Sequence, residues 1–392
     1  MNDGVDTDVP IAQAHRPAPG RYRHPYRAAV IGHTGRGNYG HGLDTVFTGM
    51  PGVTVVGVAD PDDDGRAMAM ARSGRCAGYL DYREMLASLR PDVVSIAPRH
   101  PDQREAMFRS AVDAGVRAIY CEKPLAASLA EADRIVGMCA TAGVRVAIAH
   151  QNRAFPAPYE AWRMVQAGAI GRVVALRAYG KQDHRGGGQD LMILGTHMLD
   201  LMRLLAGDAL WCNASVASGN APSGRLDIRE AAEAAGWIAG DCIHATYGFS
   251  GGMIGTYTSI VADDGGDASY FRMEIGGTGG RIVFWSSASS PVAWTSSPHE
   301  NIGMPFPWTL TETIPLDPVQ GGSQGSGANG PLHDANQFLV ADLLEAVETG
   351  RKPRSCITDA QASLEMIMAA YASHFGASRI TLPLRDRTHP LA

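Results

Sequence analysis

The chain lacks the marks of several functional classes. Its six cysteines stand at 76, 121, 139, 212, 242 and 356, with no Cys-x-x-Cys pair and no Cys/His grouping at zinc spacing. Neither a disulfide framework nor a metal site is expected, and reduced thiols suit a cytoplasmic protein. No apolar run approaches the length of a membrane span. Residues 1–26 are rich in Pro, Asp, Arg and His but contain no apolar stretch of the signal-peptide kind, so a flexible tail is expected. There is no internal repeat. Basic residues are not in excess: the formal net charge is −6, which leaves no electrostatic footprint for nucleic acid.

What is present fits an enzyme. The 392 residues suffice for two domains with full cores, and 45% of them are hydrophobic. Arg27-Ala28-Ala29-Val30-Ile31 reads as a strand. Gly32-His33-Thr34-Gly35-Arg36-Gly37-Asn38-Tyr39-Gly40 follows it, then a helical pattern over 41–50. Glycines between a strand and a helix let the backbone approach a pyrophosphate, and the helix N-terminus adds N–H donors. Gly35-x-Gly37-x-x-Gly40 matches the usual fingerprint three residues late. In the register that begins at Gly32, Thr34 replaces the second glycine. The loop is therefore lengthened or substituted, and Thr34 and Arg36 can themselves hold phosphate oxygens. The next apolar run, Val53 to Ala59, ends in Asp60. An acid there bonds adenosine ribose hydroxyls and repels a 2′-phosphate, which favours NAD over NADP. A helix cap is the plainer reading of Asp60.

Apolar runs at 91–97, 116–120 and 144–149 alternate with helical patterns at 102–114 and 129–142. Such alternation predicts a doubly wound parallel sheet over 27–150. The run Val116-Arg117-Ala118-Ile119-Tyr120 leads into Cys121-Glu122-Lys123-Pro124. A lysine at a strand end can face a cleft, meet a cofactor and help move a proton, although a plain Glu–Lys pair is the bland alternative.

From 151 to 392 the pattern changes. Strands are expected at 172–179, 243–249, 255–261, 271–275 and 280–285, forming a large, mostly antiparallel open sheet. A flexible loop is expected at 321–327, and two closing helices at 333–348 and 358–373. Within this region Asp190 opens a helical stretch that carries Thr196, His197 and Asp200. Seven-residue spacing places Asp190 and His197 on one helix face, and a histidine exchanges a proton near neutral pH. Helix cap and core side chain are the respective alternatives. Lys181, His184 and Arg185 precede this helix and could hold an anionic substituent, or simply be solvated.

Taken together, these features resemble the glucose–fructose oxidoreductase, inositol dehydrogenase and rhizopine-catabolism (Gfo/Idh/MocA) family over about residues 27 to 385. The resemblance rests on Glu122-Lys123-Pro124, Arg153, Gly168-Ala169-Ile170-Gly171-Arg172-Val173, Gly195-x-His197-x-x-Asp200 and Gly350-x-x-Pro353. It implies an NAD-binding Rossmann domain followed by an α+β domain that binds substrate and assembles a homo-oligomer, dimer or tetramer. It implies Lys123 and His197 as a catalytic pair acting on a sugar or polyol hydroxyl. Cofactor contacts are expected from Gly32, Thr34, Gly35, Arg36, Gly37, Asp60, Pro98, Arg99, His100, Glu122 and Lys123. Substrate contacts are expected from Arg153, Lys181, His184, Arg185, Asp190 and His197.

The chain departs from the family pattern twice. Ile193 stands where the family carries an acid four residues before the histidine, so Asp190 is the expected substitute. Arg99 stands where an asparagine is usual. The missing acid and the cationic loop admit two alternatives. One is a redox-neutral NAD-dependent glycosidase on an anionic glycoside such as a sulfoquinovoside. The other is a silent NAD-binding sensor.

Overall fold

The computed structural model describes residues 23–262, 270–299, 308–311 and 330–392. The loop expected at 321–327 and most of the expected N-terminal tail lie outside the described residues. The first sheet holds six parallel strands: β1 (Tyr26–Ile31), β2 (Val53–Ala59), β3 (Ala77–Tyr79), β4 (Val93–Ile96), β5 (Ala118–Cys121) and β6 (Arg145–Ile148). All four residues are buried in β4 and in β5, because the sheet is covered on both faces. Helices α1 (Asp63–Arg72), α2 (Tyr82–Leu89), α3 (Arg104–Asp113) and α4 (Leu129–Ala142) belong to this layer. Side chains of Asp62, Asp81 and Ser128 cap α1, α2 and α4. The strand order is β3-β2-β1-β4-β5-β6, so the winding reverses between β1 and β4. A crevice forms at such a reversal, beyond the strand C-terminal ends.

One expected element is absent. Residues 41–50 make linked turns instead of a helix. Gly40 and Gly42 have φ of 56° and 79°, values an α-helix does not contain. The apolar set that suggested a helix, Leu43, Val46, Phe47 and Met50, is nonetheless buried under the sheet.

The second half contains α5 (Pro156–Gln166), β7 (Val173–Tyr179), α6 (Gly188–Ile193), α7 (Gly195–Ala206), β8 (Trp211–Ser218), β9 (Ala221–Pro222), β10 (Arg229–Glu230), β11 (Trp237–Ile238), β12 (Cys242–Gly248), β13 (Ile254–Ile260), β14 (Arg272–Gly277), β15 (Arg281–Trp285), β16 (Val292–Thr295), β17 (Thr309–Thr311), α8 (Pro331–Thr349), α9 (Ile357–Phe375) and β18 (Ile380–Thr381). Its ten-stranded sheet runs β17-β16-β15-β14-β7-β13-β12-β8-β18, with β9 on β8. Only the β7–β13 pairing is parallel among those described. Helices α7 and α9 pack together and against this sheet.

The expected helix through Asp190 and His197 is broken. Helix α6 ends at Ile193 and α7 begins at Gly195, with Leu194 at φ −115°, ψ −34°. Helix α8 crosses back to the first sheet, where Leu339, Val340, Leu343 and Leu344 join the core formed by Val30, Phe47, Tyr120 and Ala147.

Candidate active site

The glycine loop after β1 lies at the sheet's reversal point. Gly37 has φ of 84°, and a Cβ there would stand 2.5 Å from the backbone nitrogen of Arg99. Only glycine lets these two loops meet. The Nε atoms of Arg36 and Arg99 and Nδ1 of His100 are buried without a hydrogen-bond partner among the described residues. Those donors beside a glycine loop match the needs of a pyrophosphate. Such donors could hold the anion that a helix N-terminus usually meets, although Arg36 also pairs with Asp102 and Arg99 with Glu233. Pro98 contributes through its carbonyl, which accepts from Arg104 Nη2 at 3.0 Å. A cavity of about 210 Å³ next to the loop is lined by Gly32, His33, Asp60, Asp81, Tyr82, Arg83, Gln103 and Met107 among others.

Asp60 departs from its expected contact. Its carboxylate is fully buried and accepts from Thr34 N (3.1 Å), Thr34 Oγ1 (2.8 Å) and Asp62 N (3.0 Å). It anchors the glycine loop from within. Thr34 is likewise turned to Asp60, away from the expected phosphate contact. Asp81 and Arg83 both line the cavity beside Asp60, 3.5 Å apart, and Arg66 Nη1 donates to the Asp60 carbonyl at 2.8 Å.

Strand β5 delivers Glu122 and Lys123 to the crevice. Glu122 is fully buried and meets His41 Nδ1 at 2.6 Å. Burial alone would raise its carboxyl, but His41, Lys123 and Arg104 bring it below the usual range. Lys123 is 3% exposed, and its Nζ donates to the carbonyl of Ile193 at 2.8 Å. Burial lowers its ammonium from the ordinary value, against the pull of Glu122 and Glu233. A buried amine whose pKa is lowered releases its proton more readily than a solvated lysine does, as proton exchange with a substrate requires.

His197 enters from α7. Burial, then Lys123 and His150, hold its imidazole neutral well below the ordinary range. The His150 ring lies edge-on to it at 5.3 Å between centroids, and His150 Nε2 meets Thr196 Oγ1 at 2.9 Å. Behind them Asp200 accepts two bonds from Arg153, at 2.6 and 2.8 Å. Arg153 also meets Asp359 at 3.0 Å and the carbonyl of Arg354 at 2.7 Å. The expectation that Arg153 binds substrate gives way to a buried ionic anchor for α7. A larger cavity, about 530 Å³, opens beside this anchor among Asp342, Arg351 and Asp359, but neither Lys123 nor His197 lines it.

Asp190 is fully buried. Its Oδ2 accepts from Ser259 Oγ at 2.5 Å and Gln182 N at 3.2 Å, under Gly180. Burial pushes its carboxyl up to about 6. The charges acting most on Lys123 are Glu122, Glu233, Arg99 and Arg185. Those acting most on His197 are Lys123, His150, His41 and Asp200. Asp190 is in neither set. The break at Leu194 removes the continuous helix face that would have paired it with His197.

The cationic loop is largely self-neutralised. Asp183 holds Arg185 at 2.5 Å and Lys181 at 3.4 Å, and His184 is exposed. The counterion was visible in the sequence between its two partners. Glu233, His41, His150 and Ser259 were not read as site residues. His41 follows the last glycine of the fingerprint and Ser259 alternates along a strand. Glu233 sits in an alanine-rich stretch without periodicity.

Residues 26–150 match an oxidoreductase family with an NAD-binding Rossmann fold, and residues 164–382 match that family's C-terminal α/β domain. A D-apiose dehydrogenase of Paraburkholderia graminis is 29% identical over 269 residues, which are 64% of this chain and 70% of that protein. A levoglucosan dehydrogenase of Pseudarthrobacter phenanthrenivorans is 28% identical over 263 residues, 58% of this chain and 64% of that one. The chain thus spans less than two thirds of the second relative. Among solved structures, a levoglucosan dehydrogenase in complex with NADH and levoglucosan superposes with a TM-score of 0.72 at 20% identity, covering 92% of this chain and 100% of that one. The first domain is therefore an NAD-binding Rossmann domain, and the chain belongs to the Gfo/Idh/MocA oxidoreductase family.

Proposed function

We propose that the protein is an NAD-dependent dehydrogenase of a sugar or polyol hydroxyl. The observation that carries this reading is the meeting of the two halves at Lys123, whose buried amine just past the end of β5 donates to the carbonyl of Ile193 at 2.8 Å, four residues before His197. Bound NAD supplies the hydride acceptor. Lys123 takes the hydroxyl proton, and His197 holds the substrate oxygen from the opposite domain. Arg36, Arg99 and the backbone of Gly35 to Gly37 hold the pyrophosphate. Asp190 supports the site from behind by fixing the loop that begins at Gly180. The names of the relatives, an apiose and a levoglucosan dehydrogenase among them, support a neutral carbohydrate substrate. Six free thiols fit a cytoplasmic protein. The sheet face opposite α7 and α9 carries the half-exposed Thr246, Thr256 and Thr258 and the exposed Arg177 and His244, and is the face we assign to homo-oligomer assembly.

The test is NADH absorbance with a panel of sugars, polyols and glycosides. Wild type should accumulate NADH. Lys123→Ala should lose about 10²–10⁴-fold in turnover while binding NAD as before. Release of aglycone without NADH would overturn the dehydrogenase reading in favour of the glycosidase.

A further inference from the structure

The segment between β9 and β12 leaves the second sheet as a strap. Strands β10 and β11 pair antiparallel, and the turn between them reaches the first domain. Residues 232–234 pack on the turn Pro101–Gln103. A Cβ at Gly236 would lie 3.0 Å from the carbonyl of Ala127, just past the Glu-Lys-Pro segment. Gln189 Oε1 accepts from Ala232 N at 2.9 Å. Glu233 and Ala234 both have positive φ, 66° and 50°. Two successive non-glycine residues in that region persist only when surrounding contacts hold them, and such backbone concentrates at functional sites.

We propose that Glu233, at the tip of this strap, binds substrate hydroxyls and supplies the cleft carboxylate that the chain lacks at Ile193. The inference rests on the carbohydrate-dehydrogenase reading above. Each of the other acids nearby already has a partner, Glu122 in His41, Asp183 in Lys181 and Arg185, Asp190 in Ser259 and Asp200 in Arg153, although Glu122 Oε2 and Asp190 Oδ1 are buried without one among the described residues. Glu233 has Arg99 at 3.7 Å and no hydrogen bond to its carboxylate among the described residues. Arg99 Nε is itself buried without a hydrogen-bond partner there. The two unusual features therefore face each other: an arginine where the family has asparagine, and an acid brought in by the strap. The strap tip packs on Pro101–Gln103 beside Arg99, and the Glu233 charge acts on Lys123, His100 and Arg185. A carboxylate that accepts no hydrogen bond from the described residues can accept two neighbouring hydroxyls of a polyol at once.

The experiment titrates myo-inositol, D-apiose and levoglucosan calorimetrically into protein saturated with NADH. Glu233→Gln should weaken the bound carbohydrate about tenfold or more, as expected for a hydrogen bond to a charged group. NADH affinity and melting temperature should stay as in wild type. Glu230→Gln, on the exposed part of the strap, should change nothing. Arg99→Gln, which keeps the carboxylate and is titrated at an NADH concentration shown to saturate that variant, should weaken carbohydrate less than Glu233→Gln does. Unchanged binding in Glu233→Gln, or equal losses in the Glu233 and Arg99 variants, would overturn the inference and leave Glu233 as a strap anchor. A wild type that binds none of the three carbohydrates would instead overturn the reading beneath it, and the inference with it.

Discussion

At the scale of single residues, Asp190 has a carboxylate without access to water, held by one hydroxyl and one backbone amide. Burial raises its pKa to about 6 from 3.8. A folded pKa above the unfolded one means that the native state binds the proton more tightly. That contribution is fully present below about pH 4 and is lost as pH rises through about 6, a change on the order of 2–3 kcal/mol. Asp190→Asn accepts the same two bonds and does not ionise. Its melting temperature relative to wild type should therefore rise between pH 4 and pH 7. A difference independent of pH would show that Asp190 ionises as easily in the fold as in the unfolded chain. This residue also shows where the sequence stops being readable. The positions of Lys123 just past a strand end and of His197 on a helix were legible from the apolar patterns around them. The direction of Asp190 depends on the break at Leu194, and nothing in the apolar run Leu191-Met192-Ile193-Leu194 announces it. The pairing of Lys181 and Arg185 with Asp183 was missed in the sequence, although Asp183 stands two residues from each.

At the scale of elements, α7 is positioned by charge as much as by apolar packing. Asp200 sits one turn past His197, wholly buried, with Arg153 bidentate on it and Asp359 at the start of α9 beyond. Removing one partner of such a pair leaves a buried charge uncompensated. Asp200→Ala should cost about 3–5 kcal/mol in urea unfolding. A loss below about 1 kcal/mol would mean that Asp359 alone satisfies Arg153. Strands of the first sheet could be read from the sequence because burial on both faces demands continuous apolar runs. The stretch 41–50 could not, because Leu43, Val46, Phe47 and Met50 fit a helix face and a set of linked turns equally well. The glycines at 40, 42 and 49, all at positive φ, were the discriminating signal. The strap around Glu233 had neither periodicity nor turn chemistry strong enough to mark it.

At the scale of the whole molecule, the first domain is not made by the first part of the chain alone. The face of its sheet next to residues 43–50 is completed by α8, which arrives from residues 331–349. Leu339, Val340, Leu343 and Leu344 are all fully buried there. Each buried aliphatic side chain contributes about 1.5–3 kcal/mol, so their sum is comparable to the whole stability of a typical domain, about 5–15 kcal/mol. Polar contacts fix the same helix. Asn336 Oδ1 accepts from Tyr120 OH at 2.7 Å and from Gln151 Nε2 at 3.0 Å, while its Nδ2 donates to His41 O at 3.2 Å. Gln337 Nε2 donates to Thr48 O at 2.9 Å. The turns that replace the expected helix thus lean on α8, and His41, the partner of Glu122, is positioned partly by it. Two closing helices were foreseen from the sequence, but amphipathic spacing does not say which sheet a helix covers. A fragment of residues 23–150 should therefore lack a cooperative thermal transition and bind an apolar dye such as ANS. Joining residues 330–350 to it through a flexible linker should restore a single transition and NAD binding. A fragment of 23–150 that melts cooperatively near the temperature of the full chain would show that its own turns suffice to cover the sheet.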